Sequence, residues 1–257
     1  LIGQPGVLDL WEGDTPAAWG VRWGVPRLEV YGRIGSTNDR ARKLAEAGAE
    51  PFTTVIAEEQ TAGRGREGKR WESPLGSGLW MSVVAPPIDH SDRALVPLLA
   101  GLAVCRAVER LAPGVCAGLK WPNDVLLGAR KVSGVLCEAG PEAIVIGVGI
   151  NVRSGALGPE LAGSTVALDD AGAGPVDRAA LAERLLTELR EQLARGRVSD
   201  AAWTRELDWR DVLRDRRVEA AGAVGIARGI DPNGALRVEV GPGEIRLVVA
   251  GGVRVQA

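Results

Sequence analysis

The sequence predicts an α+β fold: a mixed, mostly antiparallel sheet flanked by helices, with a small β-barrel behind it. Three observations carry this. Short apolar runs ("GLKW", "DVLL", "RKVSGVLCE", "AIVIGVGINV") follow one another between turn residues, as consecutive antiparallel strands do. Residues 36–48 and 177–195 place their apolar side chains at helical spacing. Beyond about residue 210 the texture becomes alternating, with turn signals at "DPNG" and "GPG".

In chain order, residues 1–26 hold Trp11, Trp19 and Trp23 among Gly and Pro, and are expected to form an irregular arm. "RLEVYGRI" (27–34) has the β-branched and aromatic content of a strand. In "STNDRARKLAEAG" (36–48), Ser36 or Thr37 can cap a helix, Ala41, Leu44 and Ala45 give it one apolar face, and Gly48 ends it. "TTVIAEE" (53–59) and "GLWMSVVA" (78–85) are the next strands, and Ser91 opens a long helix running to Leu111. After the strand run, Leu181, Leu185, Leu189 and Leu193 mark the helix at 177–195. Residues 27–210 are thus expected to form the main domain and 211–257 a small all-β domain of about five strands.

Composition narrows the function. The 257 residues carry a formal net charge of −2, which argues against a general binder of nucleic acid or anionic membrane. No apolar run is long enough to span a bilayer, and the start lacks the basic and apolar pattern of a signal peptide. The first residue is Leu, so an upstream start or trimming is expected. Cys105, Cys116 and Cys137 are odd in number and form no C-x-x-C, so neither a disulfide framework nor a zinc site is indicated, and a reducing cytoplasm fits best. The single histidine, His90, reads as a surface loop residue.

Against this background "TAGRGREGKRW" (61–71) is unusual. Gly63, Gly65 and Gly68 let backbone N–H groups approach an anion, and Arg64, Arg66, Lys69 and Arg70 supply charged donors. Composition alone leaves a solvated turn or an RNA-touching loop equally open, and the spacing is not that of a P-loop. In "LKWPNDVLL", Asn123 and Asp124 are turn residues that could also bind Mg²⁺ through its waters. Lys131 begins an apolar strand and either reaches water or points into a pocket. Asn151 ends another strand, where ligands are often met but asparagine is also ordinary.

Taken in order, "GSTNDRA", "EEQTAGRGREGKRWESPLGSGLWMS", "KWPNDVLLGARKVSGVLCE" and "IGVGINV" resemble the biotin protein ligases, and "VGIARGIDPNGALRV" resembles that family's C-terminal barrel. The resemblance runs from about residue 27 to the end and implies a class II synthetase-like catalytic domain followed by an SH3-like β-barrel. It also implies an ATP-dependent ligase that makes biotinyl-5′-AMP, with Mg²⁺ as cofactor, and passes biotin to a lysine of a biotin carboxyl carrier domain. Residue by residue, Ser36, Thr37, Asn38 and Gln60 match positions bordering biotin, and Gly63, Arg64, Gly65, Arg66 and Gly134 match the loop and strand around it. Arg66 and Lys131 take the catalytic positions, since Lys131 matches a lysine that reaches both the carboxylate and the α-phosphate. Arg64, Lys69, Trp71, Asn123, Asn151 and Arg228 fall on the ATP or adenylate side, and Asp124 on the metal side.

Some positions depart from the family pattern. Lys69 stands where arginine is common, Glu67 where a basic or small residue is common, and Ser133 replaces an alanine. Nothing before residue 27 has a helix-turn-helix pattern, so the ligase-only form, without DNA binding, is expected. Relatives occur as monomers and as dimers, and a monomer or weak homodimer is expected here. A lipoate or octanoyl ligase is the competing enzyme; a biotin-sensing DNA regulator is the competing non-enzyme.

Overall fold

The computed structural model describes residues 6–141, 143–154, 158, 161, 163–172, 174–194 and 201–256. Its α-helices are α1 (Pro16–Trp23), α2 (Thr37–Glu46), α3 (Val96–Leu111), α4 (Arg178–Ala194) and α5 (Ala201–Arg210). The main sheet is built from β1 (Leu28–Tyr31), β2 (Thr54–Ala57), β3 (Gly78–Val84), β4 (Ala117–Lys120), β5 (Asp124–Leu127), β6 (Arg130–Ala139) and β7 (Ile144–Asn151). Its spatial order is β1-β2-β3-β7-β6-β5-β4. Only β1 and β2 pair in parallel, which requires a crossover, and α2 supplies it.

Helices cover both faces of the sheet, so β2 and β3 are buried along their whole length. On one face α2 sets Ala41, Leu44 and Ala45 against Tyr31, Val55, Ala57, Val84 and Val145. The other face carries the large core with α3 and α4. Strand β7 shows how the sequence divides these roles. Ile144, Ile146, Val148 and Ile150 enter the large core, while the intervening positions end in Gly147 and Gly149 on the α2 side. A Cβ at Gly147 would lie 2.1 Å from Asn38 Oδ1, and one at Gly149 would lie 2.5 Å from the Trp71 indole. The two glycines leave a floor on which polar and aromatic side chains can lie flat.

The second sheet holds β8 (Arg217–Ala220), β9 (Ala223–Ile230), β10 (Leu236–Gly241), β11 (Glu244–Val248) and β12 (Val253–Val255), in the order β11-β10-β9-β8-β12. Its five strands match the number expected. They form an antiparallel sheet in which, among the described residues, β11 and β12 are the edges, β12 spans three residues, and Ile245 and Leu247 of β11 face solvent. The sheet buries Val218, Ala227, Leu236 and Val238 in the same core as α3 and β4. Trp121 Nε1 ties the two sheets together by donating to the Gly234 carbonyl at 2.8 Å.

The arm is not irregular throughout. Thr15 caps α1 by accepting from the Ala18 N–H at 3.1 Å, Pro16 occupies its first turn, and Gly24 ends it in the left-handed region. Trp11 and Trp23 are buried, and Trp19 stacks on Trp23 with centroids 5.4 Å apart. Arg178, itself buried, ion-pairs with Glu12 of the arm and Glu58 after β2, and Trp11 Nε1 donates to Glu58. The helix expected from Ser91 begins instead as a 3₁₀ turn, His90–Leu95, because Pro97 belongs in the first turn of the α-helix proper. Asp177 caps α4, whose expected end at residue 195 lies outside the described residues. Helix α5 was not anticipated, although Trp203 and Leu207, both buried, sit four residues apart.

Candidate active site

A cavity of about 280 Å³ opens between the start of α2, the loop after β2, and strands β5, β6 and β7. The sharp entry into α2 brings Ser36, Thr37 and Asn38 to its wall, all three buried. Ser36, one of the two expected caps, occupies the N-cap position but makes no side-chain capping hydrogen bond, and Thr37 is the first residue of the helix. Thr37 donates through its backbone N–H and its hydroxyl to Gln60 Oε1, at 2.8 and 3.0 Å. Gln60 Nε2 donates to Ser73 Oγ. Ser82 on β3 lies 2.7 Å from Thr37 Oγ1 and 2.6 Å from Asn38 Oδ1, and Asn38 Nδ2 donates to Glu138 at 2.7 Å. The result is a largely buried chain of hydroxyls and amides ending on one carboxylate. Each member is held in place by the next.

The glycine-rich loop is a small hairpin. Trp71 N–H donates to Gly63 O at 3.0 Å, Gly65 N–H donates to Lys69 O at 2.7 Å, and a 3₁₀ turn at Arg66–Gly68 forms the tip. Gly63, expected to border the ligand, instead closes the base of this hairpin: a Cβ there would meet Trp71 O at 2.5 Å. Gly65 and Lys69 do line the cavity. The loop cations are mostly paired. Arg64 bonds both Asp39 oxygens, at 2.8 and 2.7 Å, Lys69 lies 3.5 Å from Glu67, and Arg70 lies 3.0 Å from Glu72. The Arg64 bond holds the Asp39 carboxyl below its ordinary range, and that same bond raises Arg64. Among the described residues Arg66 is the loop cation without a carboxylate partner; its Nη1 is 3.5 Å from Asn123 Oδ1, and Asn123 in turn donates to Val135 O.

Lys131 enters the cavity from β6, 2.6 Å from Asp124 Oδ1 and 5.0 Å from the centre of the Trp71 ring. The indole rests on Gly134 and Gly149, and its buried Nε1 has no hydrogen-bond partner among the described residues. Asp124 therefore serves first as the partner of Lys131. No group of three or more His, Cys, Asp or Glu suited to a metal occurs among the described residues. The donor set fits Mg²⁺ only as a single carboxylate shared with a lysine, a cation held chiefly by phosphate oxygens and water.

Two expected residues lie elsewhere. Asn151 is buried and lines an adjoining cavity of about 680 Å³, which shares Trp71, Asp124 and Lys131 with the first. Arg228 pairs with Asp215 and Glu239 on the small sheet and lines neither cavity, because an arginine on a strand is captured by acidic neighbours there. The small sheet contributes Gly252 and Val253 to the wall instead. Ser82, Glu138 and Asp39 were also missed. The only signal for Ser82 was a polar residue amid the apolar strand "GLWMSVVA".

Residues 30–152 match the model of the Biotin/lipoate A/B protein ligase family. A biotin–[acetyl-CoA-carboxylase] ligase of Mycobacterium tuberculosis is 37% identical over 240 residues, covering 90% of this chain and 89% of that protein. The chain belongs to the biotin protein ligases. The bifunctional ligase/repressor BirA of Bacillus spizizenii is 35% identical over 72% of this chain, which spans 59% of that ligase's length. The biotin protein ligase from Aquifex aeolicus in complex with biotin and ATP superposes with a TM-score of 0.78 at 26% identity, covering 90% of this chain and all of that one. As a member of this family the protein is a ligase, and among its described residues no helix is long and apolar enough to cross a membrane.

Proposed function

We propose that the protein joins biotin to ATP, giving biotinyl-5′-AMP and diphosphate, and then passes the biotinyl group to one lysine of a biotin carboxyl carrier domain in the cytoplasm, acting as a monomer or weak homodimer. The observation that supports this best is the two-ended chemistry of one cavity. Its inner wall is the neutral relay of Thr37, Gln60, Ser82 and Asn38, suited to a ureido ring. Its outer wall gathers Arg66, Lys69, Arg70 and Lys131, suited to a carboxylate and phosphates.

In the first step a carboxylate oxygen attacks the α-phosphorus and diphosphate leaves with the bonding pair. Two anions must meet, and Lys131 and Arg66 offset their repulsion at the point where negative charge crowds most. When bound, Mg²⁺ would add charge neutralisation at the phosphates, held on the protein side by Asp124 with Asn123 beside it. The mixed anhydride needs protection from water, which the hairpin over Gly65–Lys69 and the indole of Trp71 supply. In the second step the carrier lysine, as free amine, attacks the acyl carbon and AMP leaves. Asn151 and the second cavity are assigned to the adenylate side. The test is biotin-dependent exchange of diphosphate into ATP, run beside lipoate. Exchange with lipoate but not biotin would replace this reading with that of a lipoate ligase.

A further inference from the structure

Asp39 lines no part of the cavity, yet it makes the most complete contact with the loop that covers it. It sits in the first turn of α2, two residues after Thr37. Its two oxygens accept from Nη1 and Nη2 of Arg64 at 2.8 and 2.7 Å, the parallel two-bond geometry that fixes a guanidinium in plane as well as in place. Glu138 on β6 approaches the same Nη2 at 3.4 Å through Oε1, while its Oε2 accepts from Asn38. Arg64 is therefore seated between two carboxylates borne by different elements. One of them also ends the largely buried chain of hydroxyls and amides. Among the described residues the other loop cations have no comparable tether: Lys69 and Arg70 pair with their own loop neighbours, Glu67 and Glu72, and Arg66 has a single contact, 3.5 Å from Asn123 Oδ1.

We propose that Asp39 is a positioning residue for this ligase, holding Arg64 as the fixed root of the loop so that its guanidinium is aimed at the cavity before either substrate arrives. The inference rests on the reading that the cavity takes biotin and ATP. A helix residue that merely favoured its own N-terminus would need no such partner and would not act on the loop. Asp39 also lies 3.4 Å from Arg42 one turn on, but that contact is exposed and monodentate.

Preorganisation of this kind appears in substrate affinity and leaves the chemical step largely alone. Asp39→Asn should raise the KM for biotin about tenfold in the diphosphate-exchange assay, with kcat within about twofold. In the ligand-free protein, brief trypsin digestion read by mass spectrometry should then cut after Arg64. In the parent, early cuts should fall after Arg66, Lys69 and Arg70. Asp39→Glu, which keeps the two oxygens, should restore most of both behaviours. A parental KM and cut pattern in Asp39→Asn would overturn the proposal. So would a fall in KM, which would make the pair a latch that substrate has to break. A raised KM without the new cut would overturn it as well, since the effect would not then pass through the loop. If the parent shows no biotin-dependent exchange, the functional reading fails, while the cleavage pattern still decides whether Asp39 seats Arg64.

Discussion

Lys131 Nζ stands 2.6 Å from Asp124 Oδ1, so the lysine faces the cavity already paired with an acid from the neighbouring strand. Its charge is delivered at one point on the cavity wall. Lys131→Ala should lower adenylate formation by roughly two to three decades, the usual consequence of removing one donor to a crowded transition state. Diphosphate release by the folded variant is the measurement, and near-parental release would remove Lys131 from the reaction.

Asp124→Asn loses both that partner and the hard anionic oxygen a magnesium ion prefers. The Mg²⁺ titration of the reaction should shift to higher concentration, while biotin binding by calorimetry changes little. If the two titrations overlay, Asp124 serves Lys131 alone.

Gly149→Ala places a methyl group 2.5 Å from the Trp71 ring, closer than carbon atoms pack. The indole must move, and the loop that carries it moves too. We expect adenylation to fall at least tenfold and tryptophan emission to shift to the red as the ring meets water. An unchanged spectrum with parental turnover would show that the indole has another place to rest.

Arg228→Ala should leave turnover near parental, because among the described residues this exposed arginine pairs with Asp215 and Glu239 and lines neither cavity. Trp121→Phe is the contrasting change. It deletes the hydrogen bond to Gly234 O and leaves a buried carbonyl unpartnered, a loss of about 1–3 kcal/mol. Turnover should fall with it, since Gly252 and Val253 belong to the cavity wall. Parallel urea melts and exchange assays on the two variants check both expectations.

Alkaline pH should destabilise the protein well before its ion pairs are lost. Burial raises the Cys105 thiol from 9.0 to about 12, and burial with a hydrogen bond to Glu29 raises Tyr31 from 10.0 to about 12. Above pH 9 the unfolded chain gives up protons that the folded chain keeps, so stability falls as pH rises. The slope is at most about 1.4 kcal/mol per unit for each group. Burial raises the Cys137 thiol from 9.0 to about 12 as well, so Cys105→Ala should lessen, without abolishing, the dependence of the urea midpoint between pH 9 and 10, where Tyr31 only begins to contribute. An unaltered slope would mean that Cys105 is not its source.

How much of this was legible in the sequence varied with how local the cause was. The strands could be read because β-branched residues alternate with turn chemistry; Ser36, Thr37, Asn38, Gln60 and Lys131 were named through the resemblance to the ligase family, and the fold brings all five to one cavity. Asp39 could not: an acid in the first turn of a helix looks like ordinary dipole complementarity, and only the fold brings Arg64 to it. Arg228 is the opposite case. Its local context resembles a functional segment, but its charge is already met across the small sheet. The loop "GRGREGKR" carries four cations, and in space Asp39, Glu67 and Glu72 pair three of them.

The cavity draws its wall from Ser36 at one extreme and Val253 at the other. A ribosome therefore makes nearly every part of the site long before it can make the site. Until Gly252 and Val253 are made, one flank of this cavity has no wall to close it. Partial chains of this protein should accordingly be poor at releasing reactive acyl groups into the cell, a safeguard set by the order of translation rather than by any inhibitor.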